Sequence, residues 1–165
     1  MTFKEIEELI KKKLYTEALE ACDSLFDADL TAFSEISRLK TWIYTSQGQY
    51  RAGIAELERI IKTGEATTGD YHSAGFWSLY EEEFSNAADW FSAAINLGKN
   101  QDDRWFESSA QFYLSFSNMM LGDYQKAKEI LEKSGSSDDN NAVFIPIVGS
   151  HTRSELLAEI ERRGA

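Results

Sequence analysis

One cysteine, one proline and two histidines in 165 residues leave little material for several common chemistries. With Cys22 alone, neither an intramolecular disulfide nor a thiolate-rich metal centre can form within the chain. Its neighbours at helical spacing, Leu19, Leu25 and Phe26, predict a buried, unreactive thiol. His72 and His151 are the only imidazole bases, and neither belongs to a motif with a nucleophile or to a set of metal ligands. The ten glycines are scattered and build no phosphate-binding loop. Asp138-Asp139-Asn140-Asn141 lacks the glycine and terminal glutamate of a calcium loop and reads as solvated chain. No catalytic, metal-binding or cofactor-binding residue is therefore assigned, and the chain is expected not to be an enzyme.

Long apolar runs and positive charge are equally scarce. The longest apolar run, Ala142 to Val148, contains Pro146 and falls far short of the ~20 residues that cross a bilayer, so no membrane span is expected. Charges interrupt the first eight residues where a secretory signal would need an apolar core, and a cytoplasmic protein is expected. Seventeen Lys and Arg against 28 Asp and Glu give a net charge of −11, which disfavours sequence-independent contact with nucleic acid and favours a basic or neutral partner. Most of the excess is local. Residues 65–107 hold nine acids and two bases, a field that would steer a basic ligand toward the middle of the chain.

What the chain does have is a period. Four times an aromatic residue stands three positions before a small one: Tyr15 before Ala18, Tyr50 before Gly53, Phe84 before Ala87, Tyr124 before Ala127. The intervals between the aromatics are 35, 34 and 40 residues, around the ~34 of a helical-hairpin repeat. Apolar residues after each mark follow a three-four rhythm, as in Ile54, Leu57, Ile60 and Ile61, which predicts the second helix of a hairpin. First helices are predicted near 2–12, 31–46, 70–81 and 104–120, with Gly48 and Gly122 in turns two residues before their aromatics. The extra six residues of the last interval fall to an added turn or a longer loop at Lys99 to Asp103. A loop follows Ser134, and Thr152 with Glu155 three residues on marks the start of a last helix.

These marks resemble the tetratricopeptide repeat family over about residues 1–134, most closely at Leu114-Ser115 and Leu121-Gly122-Asp123-Tyr124-Gln125-Lys126-Ala127-Lys128. Gly75, Ala87 and Phe91 match its small-residue and alanine-then-aromatic positions in the third unit, whereas Glu81-Glu82-Glu83 replaces that unit's turn glycine. The fold expected is an all-α helical-hairpin solenoid in one domain, with repeats at 1–30, 31–64, 68–99 and 104–134, a loop over 135–151 and a capping helix over 152–163.

The resemblance implies that first helices line a concave groove. Carried onto this chain, the groove set is Arg38, Trp42 and Thr45, then His72, Phe76 and Tyr80, then Phe112, Phe116 and Met119, with Glu81, Glu82, Glu83, Asp102 and Asp103 as an acidic rim. The aromatics have two roles open to them, contact with a partner or packing between helices. Lysines and asparagines of a carboxylate clamp are missing from the corresponding faces. The expected function is non-enzymatic binding of a peptide or protein. The alternatives are an inhibitor or immunity-type protein that neutralises a basic toxin or nuclease, and a secretion-type chaperone. The end faces of a short solenoid also leave a homodimer open.

Overall fold

A computed structural model describes residues 1–28, 30–134 and 141–165, and Asp138-Asp139-Asn140 lies outside them. The fold is of the all-α helical-hairpin class, divided into two compact units, Met1–Ala66 and Thr67–Ala165.

The first unit contains α1 (Phe3–Lys11), α2 (Tyr15–Ala28), a 3-10 turn (Leu30–Ala32), α3 (Phe33–Ser46) and α4 (Tyr50–Thr63). Thr2 caps α1, its hydroxyl accepting from the Glu5 N–H while the Glu5 carboxylate accepts from the Thr2 N–H at 2.7 Å. Each helix packs on the next, and α1 also on α3, the neighbour-only pattern of a repeat array. Ile6, Ile10, Ala18, Cys22, Ile36, Leu39 and Ile43 form an aliphatic core. Burial pushes the Cys22 thiol up to about 11, leaving it protonated and unreactive at neutral pH.

The second unit contains α5 (Thr68–Tyr80), α6 (Phe84–Gln101), α7 (Glu107–Met120), α8 (Tyr124–Lys133), strands β1 (Val143–Ile145) and β2 (Gly149–His151), and α9 (Arg153–Gly164). Consecutive helices pack together, with further contacts of α5 on α7 and α7 on α9. The core is aromatic, built on Phe91, Phe112, Tyr113 and Phe116 with Leu131, Leu156 and Ile160.

Every second helix of the four hairpins begins at its aromatic mark, and every small residue three positions on is buried. The turns before them repeat one hydrogen-bond pattern. At Lys13, Gly48, Glu82 and Gly122 the backbone is left-handed, with φ of 61, 72, 56 and 82°. In each case that residue's N–H bonds three residues back and the following N–H bonds five back, as in Gly48 to Thr45 and Gln49 to Tyr44. This is the Schellman ending, which satisfies orphan carbonyls of the preceding helix. The third turn thus keeps the geometry without the glycine, using Glu82.

A second register links the paired helices. Thr41 and Ser115 donate their hydroxyls to the carbonyls of the small residues twelve positions on, Gly53 at 3.3 Å and Ala127 at 2.7 Å. The matching position before Ala87 is Gly75, where an added Cβ would sit 2.8 Å from the Phe91 ring, so absence of a side chain lets the ring close against α5.

Of two local features, the first takes one of the two forms expected, an added turn, and the second differs from the expectation. The six extra residues enter mainly as helix, since α6 has 18 residues where α2 and α4 have 14. The chain then reverses at Asp102, with φ 54°, and the Asp103 N–H returns to the Gly98 carbonyl at 2.9 Å. Within the segment expected as loop, residues 143–151 form an antiparallel hairpin with Phe144 opposite Ser150. The Tyr113 hydroxyl on α7 donates to the Phe144 carbonyl at 2.8 Å and fastens the hairpin to the core. Helix α9 is capped by Thr152 and Glu155 as the sequence predicts. Its Arg153 donates through Nε, at 3.0 Å, and Nη2 to the Leu131 carbonyl, so the last helix satisfies the open C-terminal end of α8.

Candidate functional site

The α5 face of the second unit gathers the densest set of rings. Phe76 lies 5.2 Å from Trp77, 5.6 Å from Tyr80 and 5.6 Å from Tyr113, and Trp77 stacks on Tyr80 at 5.6 Å. Helical spacing puts Phe76 and Tyr80 one turn apart, and Tyr113 reaches them from α7. Phe76, Trp77 and Tyr80 are all half-buried, so one side of the ladder rests on the core while the other meets solvent.

His72, one turn earlier on α5, belongs to the interior of this cluster. Its ring lies 4.8 Å from Phe106, 5.5 Å from Phe91 and 5.8 Å from Tyr113. Burial pushes the imidazole down to about 4, so it is neutral at pH 7. Its Nε2 lies 2.9 Å from Ser109 Oγ, which is also 3.1 Å from the Phe106 carbonyl oxygen. The hydroxyl has one proton. With that proton on the carbonyl, His72 must be the Nε2–H tautomer and donate to Ser109, an arrangement that positions the ring rather than activating the hydroxyl. Burial, then the neighbouring Tyr80, pushes the Tyr113 phenol up to about 12, keeping it a neutral donor.

The other groove residues have different surroundings. On α3, Trp42 is 40% exposed, but Thr45 is buried and donates to the Thr41 carbonyl at 2.9 Å, with its methyl against Gly53. Arg38 donates to the Glu65 carbonyl at 3.4 Å within the same unit. On α7, Phe112, Phe116 and Met119 are 5, 1 and 3% exposed, so these three pack between elements. The physical reason is the C-terminal segment: β1 and α9 lie on the side of α7 that an open-ended array would leave bare. The acidic rim also separates into two groups. Glu81, Glu82 and Glu83 lie at the α5–α6 turn, whereas Asp102 and Asp103 follow the far end of α6, whose 18 residues span about 27 Å. Asp103 there accepts from the Thr68 hydroxyl at the start of α5.

A cavity of about 420 Å³ opens between α7, the β hairpin and α9. Phe116, Met119, Ile145 and Leu156 form its apolar floor, and Glu155, Glu159, Arg162 and Arg163 stand on its rim. Arg162 Nε and Arg163 Nε donate to Glu159 at 2.8 and 2.6 Å, and hydrogen bonding from Arg162, then Arg163, lowers the Glu159 carboxyl to about 2. Beside the cavity, Phe144, Ile147 and Val148 are 49, 54 and 46% exposed. Another ring is almost fully in solvent: Trp105, between α6 and α7, is 85% exposed. Phe116 and Met119 of the cavity floor belong to the sequence-based groove, whereas the hairpin, α9 and Trp105 lie outside it. The signal for the hairpin was the apolar run around Pro146, a turn former between β-branched residues.

No protein-family model and no curated protein matches the chain. Its chemistry is therefore read from the residues alone. Among the described residues no three His, Cys, Asp or Glu side chains are grouped to hold a metal ion, and no helix is long and apolar enough to cross a membrane. What the α5 face offers is a half-exposed aromatic strip on a rigid helix, with carboxylates beyond its C-terminal end. Such a strip suits apolar or cationic side chains, through area burial and ring-face contact with positive charge.

Proposed function

We propose that the chain is a non-enzymatic interaction protein of the tetratricopeptide type, working in the cytoplasm and holding a peptide or protein segment against the α5 aromatic face. The observation that carries this reading is the Phe76–Trp77–Tyr80 ladder, half-buried on one helix with its rings 5.2 to 5.6 Å apart. Rings anchored from behind lose little freedom on contact, and Trp and Tyr are the residues enriched among strong binding contributors. The neighbouring Glu81, Glu82 and Glu83 favour a partner with basic residues beside its apolar ones.

The test is a comparative capture from native cells with the tagged wild-type chain, Tyr80→Ala and Trp77→Ala, followed by titration of the recovered partner. A specific partner should lose at least about 2 kcal/mol of binding with one of the two substitutions. Equal affinity for all three proteins, with their folds intact by circular dichroism, would remove the α5 face from the proposal.

The charge of −7 over residues 65–107 supports a narrower role, neutralising one basic protein by occupying its surface. That role requires a single stoichiometric partner whose association rate falls steeply with salt. Several partners sharing a short apolar motif would instead describe an adaptor.

A further inference from the structure

The C-terminal end of the second unit sets a protrusion beside a hollow. In the turn between β1 and β2, the Val148 N–H donates to the Ile145 carbonyl at 3.3 Å. Pro146 takes the second position, and Ile147 the third with φ 65°. This is the pattern of a type II turn, whose third position favours glycine or asparagine. A β-branched residue there is strained, and strain retained at an exposed apolar tip points to contact made by that side chain. Ile147 and Val148 are about half exposed, and Val148 is also part of the wall of the α7–α9 cavity.

Charge does not oppose the approach of a second copy on this surface. The protein carries −11, yet α9 has three acids, Glu155, Glu159 and Glu161, balanced by Arg153, Arg162 and Arg163. Two copies approaching through α9 meet no net local repulsion, and a rim bearing both signs can match itself after a half-turn rotation. A plug and a socket on one face are completed together by a twofold axis, because each copy supplies what the other needs.

We propose that this face is a self-association site, in which two copies of the chain each set the Ile147–Val148 tip into the α7–α9 cavity of the other. Its residues are distinct from the α5 ladder, so failure of either proposal leaves the other standing.

Sedimentation velocity of the full chain over a wide concentration range, at low and high salt, tests it. Wild type should show a monomer–dimer equilibrium that shifts toward dimer as salt screens the overall negative charge. Ile147→Gly should weaken association by about tenfold or more, while its melting temperature holds or rises because glycine accepts the positive φ. Ala158→Glu, at an exposed helical position lining the cavity, should weaken it similarly without unfolding α9. It carries the test alone should the turn variant fail to fold. A wild-type chain that stays monomeric at every concentration and salt, or a dimer that Ala158→Glu leaves unchanged, would overturn the proposal.

Discussion

The two units are built from the same hairpin and filled differently. In the first, aliphatic side chains such as Ile6, Ile36 and Ile43 close around Ala18 and Cys22. In the second, Phe91, Phe112, Tyr113 and Phe116 take the equivalent space. Branched aliphatic groups interdigitate without polar help, whereas flat rings leave edges that need partners. That need accounts for His72 wedged among three rings and hydrogen-bonded to Ser109, and for Tyr113 reaching out to the Phe144 carbonyl. The half-exposed ladder and the α7–α9 cavity both lie in the aromatic unit. A shared backbone repeat therefore says little about where contact chemistry will lie; the filling decides it.

The contrast can be broken most forcefully at Phe116, which is 1% exposed. Phe116→Ala should cost about 3–5 kcal/mol in urea unfolding, against about 0.5–1.5 kcal/mol for Ile43→Val in the aliphatic core. A small loss at Phe116 would mean that the neighbouring cavity already decouples this ring from stability. The next effect is a pH dependence that His72 gives the aromatic unit. His72 titrates near 6.5 when unfolded and near 4 when folded, so between those values the unfolded chain binds more protons. Its contribution is present in full above pH 6.5 and about 3 kcal/mol of stability should disappear as pH falls to 4. His72→Phe should flatten that part of the curve; an unchanged curve would show that the imidazole is not desolvated.

A smaller pair of effects compares the turns. Gly48→Ala and Gly122→Ala should each lose about 1 kcal/mol through the left-handed backbone alone, since an added Cβ meets nothing within 4 Å. Lys13→Gly and Glu82→Gly should move the other way by a similar amount. Thermal melts of the four variants would settle whether the turns are interchangeable across units. A change of similar size, about 1 kcal/mol, is expected for Ser115→Ala and Thr41→Val, which remove the hydroxyl linking paired helices.

Much of this architecture was legible in the sequence because its signals are local. An aromatic at a helix start and a small residue one turn on sit within four positions and recur in all four hairpins, and in two of them a turn glycine stands two places earlier. The Thr152 cap was legible for the same reason. The face of α7 was not, because what covers it lies further along the chain, in β1 and α9. The groove set was carried over from an array with an open end, and here Phe116 and Met119 instead meet the C-terminal segment. The acidic residues looked like one rim because they cluster in the middle of the sequence, while a long α6 sets them at opposite ends.

Cys22 has a practical consequence. The native chain carries a single sulfhydryl, closed inside the aliphatic core and held protonated at neutral pH. Thiol-directed dyes should pass it over while the fold is intact, so the wild-type background is already silent for labelling. A cysteine introduced at the exposed Ser150 would become the sole reactive handle, placing a fluorophore or spin label on the β hairpin. Uptake of dye by the unmodified chain would then serve as a clock for opening of the first unit.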